Sequence, residues 1–217
     1  LKGVPQGTIK SLRLYTYQFA YHDMGGQINR IGLDGPWDIK RVLGTVPVEP
    51  DGSALFTVPA NTPIAMQPLD EEGKAIAQMR SWATAMPGEV LSCVGCHESQ
   101  NSVPPADSRL ATLKPPSEIS PWYGETRGFG FRQEVQPVLD AYCTGCHNGR
   151  QKKIPNFRDR KPVKIKSAAE PYKSGTTFSP SYIELRRFVR GQSIESDLHL
   201  LRPYEFHANT TELIRIL

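Results

Sequence analysis

The chain has 217 residues, a formal net charge of +4 and a hydrophobic fraction of 38%. This length fits one or two domains, and the chain contains no run of about eighteen apolar residues, so the sequence predicts no membrane-spanning helix. Its 19 prolines and 18 glycines favour many turns and irregular crossings over long helices.

The first hundred residues have the composition of short β-strands joined by polar turns. Residues 50–53 and 70–73 are rich in Asp, Gly, Pro and Ser, the residue types that form turns. The predicted strands around these turns span residues 12–21, 40–48, 54–58, 64–69 and 74–82. Regular spacing of this kind predicts a small N-terminal β-sandwich within a chain of the α+β class.

A Cys-x-x-Cys-His motif at residues 93–97 follows the last predicted strand. The next segment, residues 104–128, contains several prolines, a composition that favours an extended linker. The sequence therefore predicts a β-rich domain over residues 1–103, the linker, and a second domain over residues 129–217.

The second predicted domain begins with a helix. Apolar residues recur at helical spacing from Phe131 to Tyr142, and Pro137 marks either the helix start or a kink. The helix runs directly into a second Cys-x-x-Cys-His motif at residues 143–147. A further helix is predicted from Ser179-Pro180 to Gly191, and Asn209 with Glu212 has the spacing of a capping box.

Each Cys-x-x-Cys-His motif is the attachment signature of a c-type haem. Two residues between the thiols allow both sulfurs to reach one edge of a porphyrin, and the following histidine can ligate the iron. The sequence thus predicts two covalent haems. The residues that would hold them are Cys93, Cys96, His97, Cys143, Cys146 and His147.

Three other uses of these cysteines remain open: a four-cysteine zinc site, a thioredoxin-like dithiol and disulfide bonds. Zinc sites usually place the second pair within about twenty residues, whereas these two pairs are 50 residues apart. None of the three uses requires a histidine after each pair. Covalent haem attachment takes place outside the bacterial cytoplasm, so we expect a periplasmic or otherwise extracytoplasmic protein.

A strongly basic segment follows the second motif. Residues 150–166 contain eight basic side chains and one acid, a net charge of +7, and the rest of the chain sums to −3. Such a segment is either a solvated loop or a docking patch for an acidic redox partner. Nucleic acid is a poor candidate for an exported haem protein.

Three stretches resemble the haem-bearing part of the hydrazine synthase alpha-subunit family. They are GPWDIKRVLGTVPVEPDGSALFTVPANTPIAMQPLDEEGKAIAQMRSW…MPGEVLSCVGCHE at 35–98, FRQEVQPVLDAYCTGCHN at 131–148 and LLRPYEFHANTTELIRIL at 200–217. A β-propeller commonly precedes this region in the family. The resemblance therefore implies a dihaem c-type cytochrome that is part of a longer chain or complex, with a cytochrome c-like second domain.

The family's enzyme holds its first haem iron with a tyrosine shortly after the motif and diverts the motif histidine to zinc. This sequence departs from that pattern, because the first tyrosine after His97 is Tyr123. We therefore expect His97 to ligate its own haem iron, as His147 would at the second haem. Hydrazine synthesis by this chain is doubtful on this ground.

The sixth ligand of each iron decides between passing electrons and binding a small molecule. His22, His199 and His207 remain after the motif histidines. His207 is the best candidate for the second haem, or else it is a surface or helix-entry histidine hydrogen-bonded to backbone. The methionine candidates are Met24, Met66, Met79 and Met86. We favour a dihaem electron-transfer module over a haem oxidoreductase with an open first haem, and both over a structural or assembly subunit.

Overall fold

The computed structural model describes residues 1, 3–18, 32–33, 39–79, 81–93, 101, 109–165, 176–189 and 202–217. These residues form antiparallel sheets and a modest amount of helix, which confirms the expected α+β class. Two compact units are assembled from separate stretches of chain. The first unit comprises residues 1–17, 40–127 and 197–210, and the second comprises residues 18–39, 128–196 and 211–217.

One four-stranded sheet has the strand order β3-β1-β2-β4. Its strands are β1 (Ser11–Gln18), β2 (Ile39–Pro47), β3 (Ile64–Leu69) and β4 (Arg127–Gly128). β1 and β3 pair antiparallel, with a register that runs from Ser11 opposite Leu69 to Thr16 opposite Ile64. The strands predicted at 12–21, 40–48 and 64–69 are thereby confirmed over the described residues.

The core of the first unit lies on one face of this sheet. Leu14, Val46 and Ile64 are buried together, and alternate residues of β2 are buried, as a strand with one covered face requires. Gly44 belongs to the buried set of β2, because a Cβ there would collide with the carbonyl of Ser120. This close approach of two backbones excludes any larger residue at position 44.

Two predicted strands take a different form in the structure. Residue 56 makes a single parallel bridge to Ser117 instead of returning along β2. The segment after residue 73 pairs with β3 only at isolated bridges, Leu69 with Ala75 and Ile64 with Ala83. Pro68 in β3 has no N–H to donate, which prevents a continuous ladder there. The second layer of the predicted sandwich stays a prediction.

The proline-rich segment contributes residues 109–127 to the first unit. Residues Leu110–Leu113 form a 3₁₀ turn, and Ser120 pairs with Thr45 of β2 through two backbone hydrogen bonds of 2.9 Å. The expected bounds 1–103, 104–128 and 129–217 stay a prediction from composition. The compact units follow contacts, so neither is one continuous stretch of chain.

The second unit carries the remaining elements. They are a π-helical turn (Phe131–Val135), α1 (Gln136–Tyr142), β5 (Val163–Ile165), β6 (Thr176–Phe178), α2 (Pro180–Arg186) and α3 (Glu212–Ile216). Its core is formed by Leu139, Phe157 and Leu185. Among the described residues, no helix is long and apolar enough to cross a membrane.

The helix boundaries follow proline and side-chain caps. Pro137 opens the first turn of α1, which follows the π-helical turn without a break. Pro180 does the same for α2, while the Ser179 side chain makes no capping hydrogen bond. The capping-box prediction for Asn209 is wrong: Thr211 caps α3, and its hydroxyl accepts the Ile214 N–H. The predicted end of α2 at Gly191 lies outside the described residues.

Candidate functional site

The second motif forms a tight turn at the end of α1. The Cys143 N–H donates to Leu139 O at 2.8 Å and continues the helical pattern, and the His147 N–H donates to Cys143 O at the same distance. Cys143 and Cys146 are free thiols. Cys143 is half-buried against the core of the second unit, whereas Cys146 is exposed. The turn therefore presents two separate thiols and one imidazole within five residues.

The His147 ring is held by the chain that follows the motif. Its Nδ1 lies 3.0 Å from the carbonyl oxygen of Pro155. A carbonyl can only accept, so Nδ1 carries a proton, and in the neutral ring the lone pair is then on Nε2. The Phe157 ring stacks on the imidazole with 4.7 Å between centroids and 20° between planes. The ring is thus fixed in the tautomer that a metal ligand at Nε2 requires.

The contacts of Pro155 and Phe157 with the His147 ring were not predicted from the sequence. Residues 154–157 are the less polar break inside the basic segment, and Phe157 is buried while the basic residues on both sides are exposed. That interruption is the sequence signal that could have identified them. Their contact with His147 depends on the chain turning back over eight residues, which composition does not encode.

The residues at this turn fit a covalent haem. Two thiols and an imidazole whose Nδ1–H is bonded to a carbonyl, so that Nε2 can act as the ligand, are the donor set that a c-type haem needs. Val138 and Tyr142 stand four residues apart on α1 and are 53% and 85% exposed. Such an apolar stripe beside the motif would gain from an apolar group packed against it.

The first motif lies mostly outside the described residues. Cys93 is described and is an exposed free thiol. Cys96 and His97 lie outside the described part of the chain. The approach to Cys93 includes exposed apolar side chains at Val90 and Leu91.

His207, the predicted sixth ligand, lies in the first unit with both ring nitrogens engaged. Nε2 is 2.9 Å from Asp70 Oδ2, and Nδ1 accepts the Asn209 N–H at 3.3 Å. Nε2 therefore carries the proton and donates it to the carboxylate. Ligation of an iron by His207 stays a prediction, and it would require one of these bonds to break.

Asp70 is the partner that fixes His207. Partial burial disfavours its charged form, but hydrogen bonds from His207 and from the N–H groups of Lys74 and Glu72 outweigh that effect and lower the pKa of Asp70. The same carboxylate thus closes the turn after β3 and holds the chain near residue 207. The pair has a structural role in the first unit.

The remaining predicted ligands have little support from the described residues. His22, His199 and Met24 lie outside them. Met66 packs against the core of the first unit, and Met86 is exposed. Within the described part of the chain, no three His, Cys, Asp or Glu side chains are grouped for a metal ion.

The basic side chains of this segment that the structure describes are exposed, and almost no ion pairs form along it. Asp159 pairs with Arg132 at 2.8 Å, so the one acid of the segment is already neutralised. Among the described residues, seven basic side chains of the segment are exposed and make no ion pair. They are Arg150, Lys152, Lys153, Arg158, Arg160, Lys161 and Lys164. They flank residues 154–157, the stretch that holds His147.

Comparison with known proteins identifies relatives of this chain. Residues 7–98 match the family model described as hydrazine synthase alpha subunit middle domain. Hydrazine synthase subunit alpha of Kuenenia stuttgartiensis is 24% identical over 214 residues, covering 68% of this chain and 26% of that protein. The chain therefore spans about a quarter of that relative's length, and the relative is by name one subunit of a complex.

A solved structure shares the fold. Kuenenia stuttgartiensis hydrazine synthase matches with a TM-score of 0.53 and 17% identity, over 88% of this chain and 31% of that chain. At this identity the likeness concerns fold alone. Together with the family match over residues 7–98, which include the first motif, it confirms the expected relationship to the hydrazine synthase alpha subunit middle domain.

Proposed function

We propose that the protein is a dihaem c-type cytochrome that transfers electrons between redox partners outside the cytoplasm. The observation that carries this proposal is the hydrogen bonding of the His147 ring beside the two free thiols of Cys143 and Cys146. The Nδ1–H of His147 donates a hydrogen bond to Pro155 O, so Nε2 is the ring nitrogen that can ligate a metal. A disulfide role for the motif would not require this arrangement. A zinc-ligating histidine could use it, but the two Cys pairs are 50 residues apart, farther than in the usual four-cysteine zinc site.

Each residue of the second motif has a distinct task in this proposal. Cys143 and Cys146 form the thioether bonds, and His147 ligates the iron through Nε2. The haem, when bound, supplies the one-electron chemistry. Phe157 covers one face of the imidazole and excludes water from it. Cys93, Cys96 and His97 would perform the same tasks at the first haem.

The basic segment is the proposed docking surface for an acidic redox partner. Its seven exposed and unpaired charges lie on the chain directly after the motif. Clustered charge of one sign speeds the encounter with a partner of opposite charge. The two interpretations of the segment predict different binding: a solvated loop binds no partner, whereas a docking patch binds an acidic one.

A haem oxidoreductase is the second candidate function. It is favoured by the match of residues 7–98 to the hydrazine synthase alpha subunit middle domain, because that region contains the first motif. In this case an open first haem would act on a small nitrogen compound or peroxide, and the second haem would supply electrons. The chain covers 26% of that relative, so the activity of the whole relative is only proposed for this chain.

Visible spectra of the purified holoprotein separate the two functions. Spectra are recorded for the oxidised protein, the reduced protein and the reduced protein under carbon monoxide. Electron transfer alone predicts low-spin bands that carbon monoxide leaves unchanged, because both irons are six-coordinate. A high-spin ferric band, with a carbon monoxide shift for about half of the haem, would favour the oxidoreductase. The absence of any haem spectrum would exclude both.

A further inference from the structure

A buried hydrogen-bond network behind the second motif centres on Gln136 in the first turn of α1. Gln136 is 4% exposed. Its Nε2 donates to Phe157 O at 2.9 Å and to Asp140 Oδ1 at 2.8 Å. Its Oε1 accepts from the hydroxyl of Ser181, a fully buried residue of α2, at 2.6 Å. One amide therefore ties α1, α2 and the chain after the motif together.

Gln136 and His147 hold the same short segment, residues 155–157. The Phe157 N–H donates to His147 O at 3.0 Å, its ring stacks on the imidazole, and its carbonyl accepts from Gln136. Pro155 O, two residues earlier, accepts the Nδ1–H of His147. Any shift of this segment changes the hydrogen bond at Nδ1, so the position of Pro155 O depends on Gln136.

We propose that Gln136 is a positioning residue that sets the donor strength of His147 through residues 155–157. This proposal rests on the proposed haem at residues 143–147. A hydrogen bond from Nδ1–H to a carbonyl raises the basicity of the imidazole and so stabilises the oxidised iron. Weakening that bond therefore raises the reduction potential of the second haem.

The decisive variant is Gln136→Met combined with Ser181→Ala in the full holoprotein. Methionine keeps the length of the side chain but removes its hydrogen bonds, and alanine at 181 avoids an orphaned buried hydroxyl. We expect the reduction equilibrium of the second haem to shift up to about 10-fold toward the reduced form, or about 59 mV for one electron. The first haem provides an internal reference in the same titration.

Two further measurements separate positioning from general destabilisation. The exposed Gln133 lies three residues earlier, and Gln133→Met makes the same change without touching residues 155–157. It should leave the potential unchanged. In the reduced, diamagnetic protein, the Nδ1 proton of His147 should exchange with solvent faster in the Gln136 variant than in the wild type.

The outcomes are distinct. An unchanged potential and unchanged Nδ1–H exchange in a variant that retains both haems would overturn the proposal. If the double variant fails to fold, Ser181→Ala alone removes one bond to Gln136 and must still raise the potential; no shift there also overturns it. Failure of the proposed function gives a different result, because the wild-type protein would then already lack a haem at residues 143–147.

Discussion

The proton on the His147 ring is the smallest feature on which the proposed chemistry depends. Pro155 O fixes that proton at Nδ1, and Phe157 fixes the plane of the ring. The Cys-x-x-Cys-His pattern alone identifies Cys143, Cys146 and His147, because the residues that attach a c-type haem lie close together in the sequence. The partners of the imidazole were not predicted, since they follow from how the chain folds back after the motif.

The thiols of each motif should account for one haem each. Replacing Cys143 and Cys146 with Ala should remove one of two haems and destabilise the second unit, because its core would lose a large apolar group. The pyridine haemochrome assay measures the haem content per chain. The same pair of changes at Cys93 and Cys96 is the matched variant and should also leave one haem. Retention of two haems by either variant would show that its motif is not an attachment site.

Strands and turns were predicted where the pattern is local and missed where pairing is irregular. β1, β2 and β3 follow runs of apolar and β-branched residues, and the turns at 50–53 and 70–73 have the Gly and Asp that they need. Bridges that involve residues 56 and 117 join positions far apart in the sequence, which periodicity does not reveal. The sheet core is consequently a good place to test the fold.

Leu14 of β1 is fully buried in that core, so Leu14→Ala should lower the free energy of unfolding by about 2–5 kcal/mol. The loss combines the transfer energy of the removed methyl groups with the cavity left behind. Leu113→Ala is the matched control, because Leu113 is 70% exposed, and it should change stability by less than about 0.5 kcal/mol. Chemical denaturation measures both. Equal effects would mean that Leu14 is not in the core.

The turn at residues 49–53 is stabilised by a carboxylate with an unusual pKa. Hydrogen bonds from the Ser53 hydroxyl and then from the Leu110 N–H lower the pKa of Asp51 from 3.8 to about 2. In the pH range between these values the unfolded chain binds more protons at this residue. The stabilisation is therefore complete above about pH 4 and is lost as the pH falls through about 2.

Asp51→Asn should flatten this part of the acid dependence. Denaturation midpoints at pH values from 5 to about 2 should fall less steeply in the variant than in the wild type. Glu125→Gln is the control, because the Glu125 carboxylate makes no hydrogen bond to another described residue. Parallel wild-type and Asp51→Asn curves would contradict the role given to this carboxylate.

At the scale of the whole molecule, the charge is concentrated at the proposed redox site. The described basic side chains of the segment are exposed, while the rest of the chain is net negative. Its charge and position were predicted from the sequence. Its pairing was not, because the Arg132–Asp159 bridge joins residues 27 positions apart. The compact units likewise draw on distant stretches of chain that composition alone does not connect.

Reversal of one charge in the segment should slow electron exchange with an acidic partner. Lys153→Glu should lower the second-order rate with a small acidic iron–sulfur protein by up to about 10-fold at low ionic strength. Lys10→Glu changes the net charge equally but lies in the first unit, and it should have a smaller effect. The difference should vanish near 1 M salt, where the Debye length is about 3 Å. Equal rates for both variants at low salt would assign the segment to a solvated loop.

The intact mass of the denatured holoprotein tests most directly whether this chain carries the two proposed covalent haems. For this measurement the protein is produced in a bacterial host with an export signal and a c-type haem maturation system, and its mass is measured together with its haem and zinc content. We expect a chain heavier by two haem groups that remain attached after denaturation. A chain of unmodified mass that contains zinc, or one whose cysteines form disulfides, would contradict this expectation.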